Sequence, residues 1–217
     1  MTKKVFSITC MVLWLNVSCL SPKAYPCVGR LLFLGITANE DQKAMAEVLS
    51  ILIEECTGTQ VNIVTFQTLG ECREAVQKEE LDLYLDYVGS GLLYVLNHEN
   101  KHNHENRHME NPDRAYSLVK HLFDQKFSLI WLRPFGYTHP LLESEISKEI
   151  KDVPNQAVCV ARRQVLNRFP ILPRLINKLR NKIPNDTITR LQKSNDLKSE
   201  ARAFLESENL IRWLIPN

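Results

Sequence analysis

Between residues 30 and 96 the chain switches three times from an apolar run to an amphipathic stretch, and that alternation constrains the fold more than any other feature. Residues 30–36 form a continuous apolar run, as expected of a strand buried on both faces. Asn39-Glu40-Asp41 supplies helix-start chemistry. Met45, Val48, Leu49, Leu52 and Ile53 follow at helical spacing, and Thr57-Gly58 ends that helix. Residues 61–66 alternate and are β-rich, so they read as a second strand. Residues 69–78 read as a short helix and residues 81–84 as a third strand. Gly89-Ser90-Gly91 opens a helix reaching about Leu96. A β-α-β-α-β-α order predicts an α/β fold with a mainly parallel sheet flanked by helices.

The pattern then breaks. Residues 98–111 are polar and rich in His and Asn, as in a surface loop. Pro112-Asp113 begins another helix, with Ala115, Leu118, Val119 and Leu122 on one face. Residues 127–132 read as a fourth strand, 144–152 as a charged connector and 157–160 as one more short strand. Residues 162–210 carry a helical pattern punctuated by Pro170, Pro173 and Pro184. No internal repeat is visible.

The first 26 residues read as an export segment, leaving 27–217 as a single domain. Lys3 and Lys4 form a positive start. Residues 5–17 are apolar apart from Ser7, Thr9 and Asn16, and are short for a membrane span. Ser18-Cys19 then suggests lipoprotein processing, with Cys19 lipidated and tethering the chain to a membrane. Cleavage elsewhere, removing Cys19, is the alternative. Without Lys3 and Lys4 the 27 basic residues become 25, equal to the 25 acidic ones. A neutral chain gives no electrostatic case for nucleic acid. The basic residues of the C-terminal part, among them Arg162, Arg163, Arg168, Arg174 and Arg190, read as a solvated face.

The six cysteines contain no CxxC pair, so a zinc ribbon or thioredoxin-like motif is unsupported. Cys56 and Cys72 fall in helical patterns and read as small buried residues. His98, His102, His104 and His108 form HxxxHxHxxxH, whose outer pairs would share a helical face at a spacing that chelates Zn²⁺. The stretch lacks an apolar face, which favours a polar loop. His121 and His139 have no evident partner. Glu80, Asp82 and Asp86 follow strand alternation and need not converge. No enzyme motif or cofactor signature is present.

Residues 71–90, ECREAVQKEELDLYLDYVGS, resemble a segment of quaternary-ammonium-compound binding proteins of ABC transporters, where a short helix and a strand lead into a Tyr-Thr-Gly-Thr turn. Residues 35–47 resemble that family's first strand-to-helix turn, with Gln42 at the last position of an Asn-Phe-Thr-Glu-Gln motif. Trp131-Leu132-Arg133-Pro134 resembles its Trp-Leu-x-Pro crossover into a second lobe. Residues 157–210 resemble its C-terminal return, including Val165-Leu166, Phe169-Pro170 and Ala203-Phe204-Leu205. The departures are Asn39 in place of Phe, Leu85 in place of Pro and Val88 in place of Thr. The second lobe is replaced by the connector 135–156, too short for an α/β lobe when one βαβ unit needs ~30 residues.

The resemblance implies one lobe of a type II periplasmic-binding-protein fold with a helical C-terminal part. It implies an exported substrate-binding component of a glycine betaine or choline-type ABC system, with a permease as partner. It places the ligand at Gln42, Tyr84, Tyr87, Gly89 and Ser90. A quaternary ammonium is held by aromatic faces at roughly 0.5–2 kcal/mol per ring. With the second lobe's rings gone, the site is expected to be reduced. An interaction module on the same scaffold, or a metal-binding role for the histidine loop, are the alternatives.

Overall fold

The computed structural model describes residues 31–98, 112–140 and 155–211. Five strands make one open sheet in the order β2-β1-β3-β5-β4. They are β1 (Leu31–Thr37), β2 (Gln60–Phe66), β3 (Leu83–Tyr87), β4 (Leu129–Trp131) and β5 (Ala157–Arg162). β1 pairs parallel with β2 and β3, while β5 runs antiparallel to β3 and β4. The return strand is thus slotted between β3 and β4.

Among the described residues, four helices precede β4. They are α1 (Glu40–Thr57), α2 (Leu69–Gln77), α3 (Val88–His98) and α4 (Pro112–Phe127). Four short helices follow β5: α5 (Arg163–Arg168), α6 (Leu172–Ile176), α7 (Asn185–Lys193) and α8 (Leu197–Ser207).

Strand alternation sorts the core into two layers. Leu83, Leu85 and Tyr87 of β3, with Ala157, Cys159 and Ala161 of β5, face α1 and the C-terminal helices. Tyr84, Val158 and Val160 face α2, α3 and α4. The expected stripe on α1 is buried, and so are Ala44, Ala46 and Ile51 beside it. This follows because α6, α7 and α8 pack on α1 in addition to the sheet, so its apolar surface is wider than a single stripe. Gly58 ends α1 at φ 68°, a left-handed conformation suited to glycine, with its N–H on the Glu54 carbonyl at 2.8 Å.

The third strand lies at Leu83–Tyr87, later than the expected 81–84. Leu81 and Asp82 form its approach. The Leu81 side chain occupies the space where Gly35 lacks a Cβ; a Cβ there would stand 2.4 Å from Leu81 Cδ1. Asp82 accepts from the Phe33 N–H at 3.0 Å and from Arg162 and Arg168, each at 3.0 Å. Asp86 does enter the strand, because Arg73 neutralises it. Cys72 is buried as expected, but Cys56 is exposed near the end of α1.

After β4 the chain stays extended beside the approach to β5. Leu132 N–H donates to Cys159 O, Phe135 N–H to Ala157 O and His139 N–H to Asn155 O, all at 3.0 Å. On its other side, Phe135 O accepts from Ile183 N–H at 2.9 Å, and Thr138 exchanges two 2.9 Å bonds with the Asn185 side chain. Gly136, at φ 108°, passes so close to Asn181 that a Cβ would stand 3.0 Å from its Cα. The residues that expected connector 144–152 comprises lie outside the described structure.

Candidate functional site

A cavity of about 930 Å³ opens at the C-terminal ends of β1, β2 and β3, where open α/β sheets place ligands. Asn39 reaches it from the turn after β1, and Gln67, Thr68 and Leu69 from the turn after β2. Arg73 comes from α2, Tyr87 from β3, and Ser90, Leu93, Tyr94 and Asn97 from α3. His139, Pro140 and Asn155 come from the crossover and the return.

Its floor is a buried ion pair. Arg73 Nε donates to Asp86 Oδ2 at 3.0 Å and Nη2 to Oδ1 at 2.8 Å. The same Nη2 donates to Ser90 Oγ at 2.8 Å. The guanidinium carbon lies 4.8 Å from the Tyr94 ring centroid, a cation–π contact. Asp86 also accepts from the Tyr87 N–H at 2.7 Å. Two acidic neighbours in sequence are therefore separated: Asp82 serves Arg162 and Arg168, and Asp86 serves Arg73.

Tyr87 is 3% exposed, and its hydroxyl donates to the Asp41 carboxylate in the first turn of α1. Burial first, and Asp41 second, hold its phenol well above the ordinary range. Tyr137 shares this environment and is pushed up to about 12, again by burial and then Asp41. The His139 ring lies 4.8 Å from the Tyr87 ring and 6.4 Å from that of Tyr137. His139 thus has aromatic partners that its place in the sequence did not suggest.

Of the residues expected at the ligand, Tyr87 and Ser90 line the cavity. The other three do not. Gln42 is fully buried, and its Oε1 accepts from the Thr37 N–H at 2.7 Å, closing the β1–α1 turn. Tyr84 is fully buried on the opposite face of β3 among α2, α3 and α4. Gly89 is buried in the first turn of α3. The sequence reading missed Arg73, Tyr94 and Asn155. A signal existed for Arg73: it interrupts the apolar face of α2 (Cys72, Ala75, Val76) as Asp86 interrupts β3, and opposite charges that both break apolar patterns suggest a buried pair. Asn155 carries no such mark.

His98 ends α3, while His102, His104 and His108 lie outside the described residues, as does Cys19. Among the described residues no group of three or more His, Cys, Asp or Glu is placed to hold a metal. Among them, too, no helix is long and apolar enough to cross a membrane. The basic C-terminal residues largely meet carboxylates, with Arg163 on Asp124, Lys182 on Glu208 and Arg190 on Glu200.

A five-stranded sheet with one inserted antiparallel strand, and a cavity at the ends of its parallel strands, define a lobe of the periplasmic-binding-protein class. Residues 32–140 match the family model of the substrate binding domain of the ABC-type glycine betaine transport system, and the chain belongs to that family. Solved structures of like fold include a glycine betaine/carnitine/choline ABC transporter protein, with TM-score 0.68 and 14% identity over 83% of this chain and 98% of that one. Apo YehZ from Escherichia coli gives TM-score 0.62 and 14% identity over 82% and 99%. No curated protein sequence matches the chain.

Proposed function

We propose that this protein is an exported, single-lobe substrate-binding component of an osmoprotectant-type ABC system, with a reduced ligand site and no catalytic role. Family membership supports the transport reading. The observation that carries the reduced site is the ladder between crossover and return. Thr138 already bridges Gln156, and His139 bonds to Asn155. Residues 141–154 are all that separate the two sides, fewer than a βαβ unit of ~30 residues requires. The cavity then has one wall, and a quaternary ammonium bound there keeps part of its hydration. The partner is a permease subunit, and Cys19 is the residue for a lipid tether.

Calorimetric titration with glycine betaine, choline and carnitine tests the reduced site: the isolated chain binds none of them at micromolar concentration. Micromolar binding of any of the three would overturn it. Co-purification with a permease from the native membrane tests the transport reading separately. Recovery of the chain without any permease subunit would count against it.

A further inference from the structure

β2 ends the sheet, so one side of its backbone has no neighbouring strand. N–H and C=O groups turn to alternate sides along a strand, and the hydrogen bonds fix which residues turn outward. Phe33 exchanges bonds with Asp82 on the β3 side of β1, so Leu34, opposite Ile63, turns to β2. Asn62 and Val64 therefore meet β1, while Val61, Ile63, Thr65 and Gln67 turn away from it. Two side chains agree: the Val61 N–H donates to Glu54 Oε1 at 3.0 Å, and the Gln67 N–H to Glu71 Oε2 at 2.9 Å. Between these covered ends, Ile63 and Thr65 each present a donor and an acceptor with no partner among the described residues.

Natural sheet edges are guarded by charge, proline or a bulge. β2 reads QVNIVTF, with neither charge nor proline, and it pairs with β1 residue for residue without a bulge. Its side chains have places on both faces: Val61 and Ile63 pack on one core layer, Val64 and Phe66 on the other. Beside its start lies a hollow of about 450 Å³, lined by Leu31, Glu54, Val61 and Asn62 among others. Leu31 is 44% exposed there. The edge thus offers main-chain bonds in its middle, an apolar wall at one end and a carboxylate at each end. Neither Glu54 nor Glu71 has a cationic partner among the described residues.

We infer that β2 is a docking edge for an extended, basic segment of a partner protein, which adds a strand to the sheet and sets a Lys or Arg beside Glu54 and Glu71. Main-chain bonds to Ile63 and Thr65 hold the segment, and its flanking charges select it. A second copy of this chain fits worse. Antiparallel pairing of β2 with itself about Val64 sets Val61 of one copy opposite Gln67 of the other. Glu54 then meets Glu71 at both ends, and like charges placed so oppose pairing. The docking edge stands apart from the ligand reading, since it needs nothing to bind in the cavity.

The test is amide hydrogen exchange of the ¹⁵N-labelled full chain, read by NMR with and without the synthetic peptide acetyl-Lys-Val-Thr-Val-Thr-Val-Lys-amide. The peptide slows exchange at Ile63 and Thr65 to saturation and leaves Asn62 and Val64, which already bond to β1, unchanged. The same peptide with Glu in place of both Lys binds roughly tenfold more weakly at low salt, and high salt narrows the gap. Glu54→Gln with Glu71→Gln keeps an acceptor for each N–H and removes the preference between the two peptides. Thr65→Pro deletes an outward donor that β1 does not use, where an edge strand tolerates proline, and weakens peptide binding by roughly tenfold. The inference is overturned if the peptide fails to slow Ile63 and Thr65, if the wild type binds both peptides equally, if the glutamine double variant keeps the preference, or if folded Thr65→Pro binds undiminished. Protection of Ile63 and Thr65 without peptide, growing with chain concentration, overturns it too, because the occupant is then a second copy. Should Thr65→Pro not fold, the wild-type exchange pattern and the double variant decide alone.

Discussion

Arg73 and Asp86 face each other across the α2–β3 packing in a two-pronged ion pair, with 7% and 0% of their side chains exposed. Breaking it from one side strands a charge. Arg73→Ala is expected to cost ~3–5 kcal/mol, because Asp86 stays buried without its partner. The double variant Arg73→Leu, Asp86→Asn removes both charges and keeps an acceptor for the Tyr87 N–H. Its loss, read by urea denaturation, is smaller than that of Arg73→Ala. Equal losses would show that the pairing is not what stabilises this floor.

Alkaline pH tests the Asp41 cluster. Tyr137 in the folded chain is pushed up to about 12 and Tyr87 is raised further, both by burial first and Asp41 second. An unfolded tyrosine titrates near ~10. The folded values are raised, so this contribution to stability is complete below the unfolded value and is lost as pH rises through ~10 toward 12. The urea midpoint therefore falls on going from neutral pH into that window. Asp41→Asn makes the fall shallower without abolishing it, since burial remains.

Thiol reactivity separates three cysteines. Cys56 is exposed, whereas Cys72 and Cys159 are fully buried. Burial, with Asp86 adding to it, pushes the Cys72 thiol up to about 12, and burial alone raises Cys159. Alkylation of the native chain followed by peptide mass spectrometry labels Cys56 well before the other two. Comparable labelling of Cys72 would show that the α2 face opens more readily than its packing implies.

Gly91 lets α3 press against β4. A Cβ there would stand 2.4 Å from Trp131 Cη2 and 3.0 Å from Val119 Cγ1. Alanine favours an isolated helix over glycine by up to ~1 kcal/mol, but overpacking costs ~1–3 kcal/mol. Gly91→Ala is expected to lower the urea midpoint, and Gly91→Ala with Trp131→Phe to restore part of it.

Much of the scaffold was legible. The apolar run of β1, the stripe of α1 and the Thr57-Gly58 stop are local patterns, and the elements follow them within a residue or two. The third strand runs past its expected end to Tyr87 and carries Asp86 inside it. Its neutralisation by Arg73, 13 positions earlier, is a tertiary fact. The site divided on the same ground. Tyr87 and Ser90 follow from their place at a strand-to-helix turn, where chain order alone brings residues to the sheet's edge. Gln42 and Tyr84 sit near that turn in sequence but point elsewhere, one into its own turn and one through the sheet's other face. Asn155 was not legible, since it reaches α3 only through the antiparallel insertion of β5, 65 positions away.

The extended segment around Gly136 is stitched on one side to the return strand and on the other to residues 181–185. A segment fastened along both edges cannot flex as a pivot. On the proposed single-lobe reading, solute binding would then proceed without a swing between open and shut forms. A solute would enter and leave by diffusion at a preset surface. A membrane partner would, on that reading, have to sense whether the surface is filled rather than a change of shape.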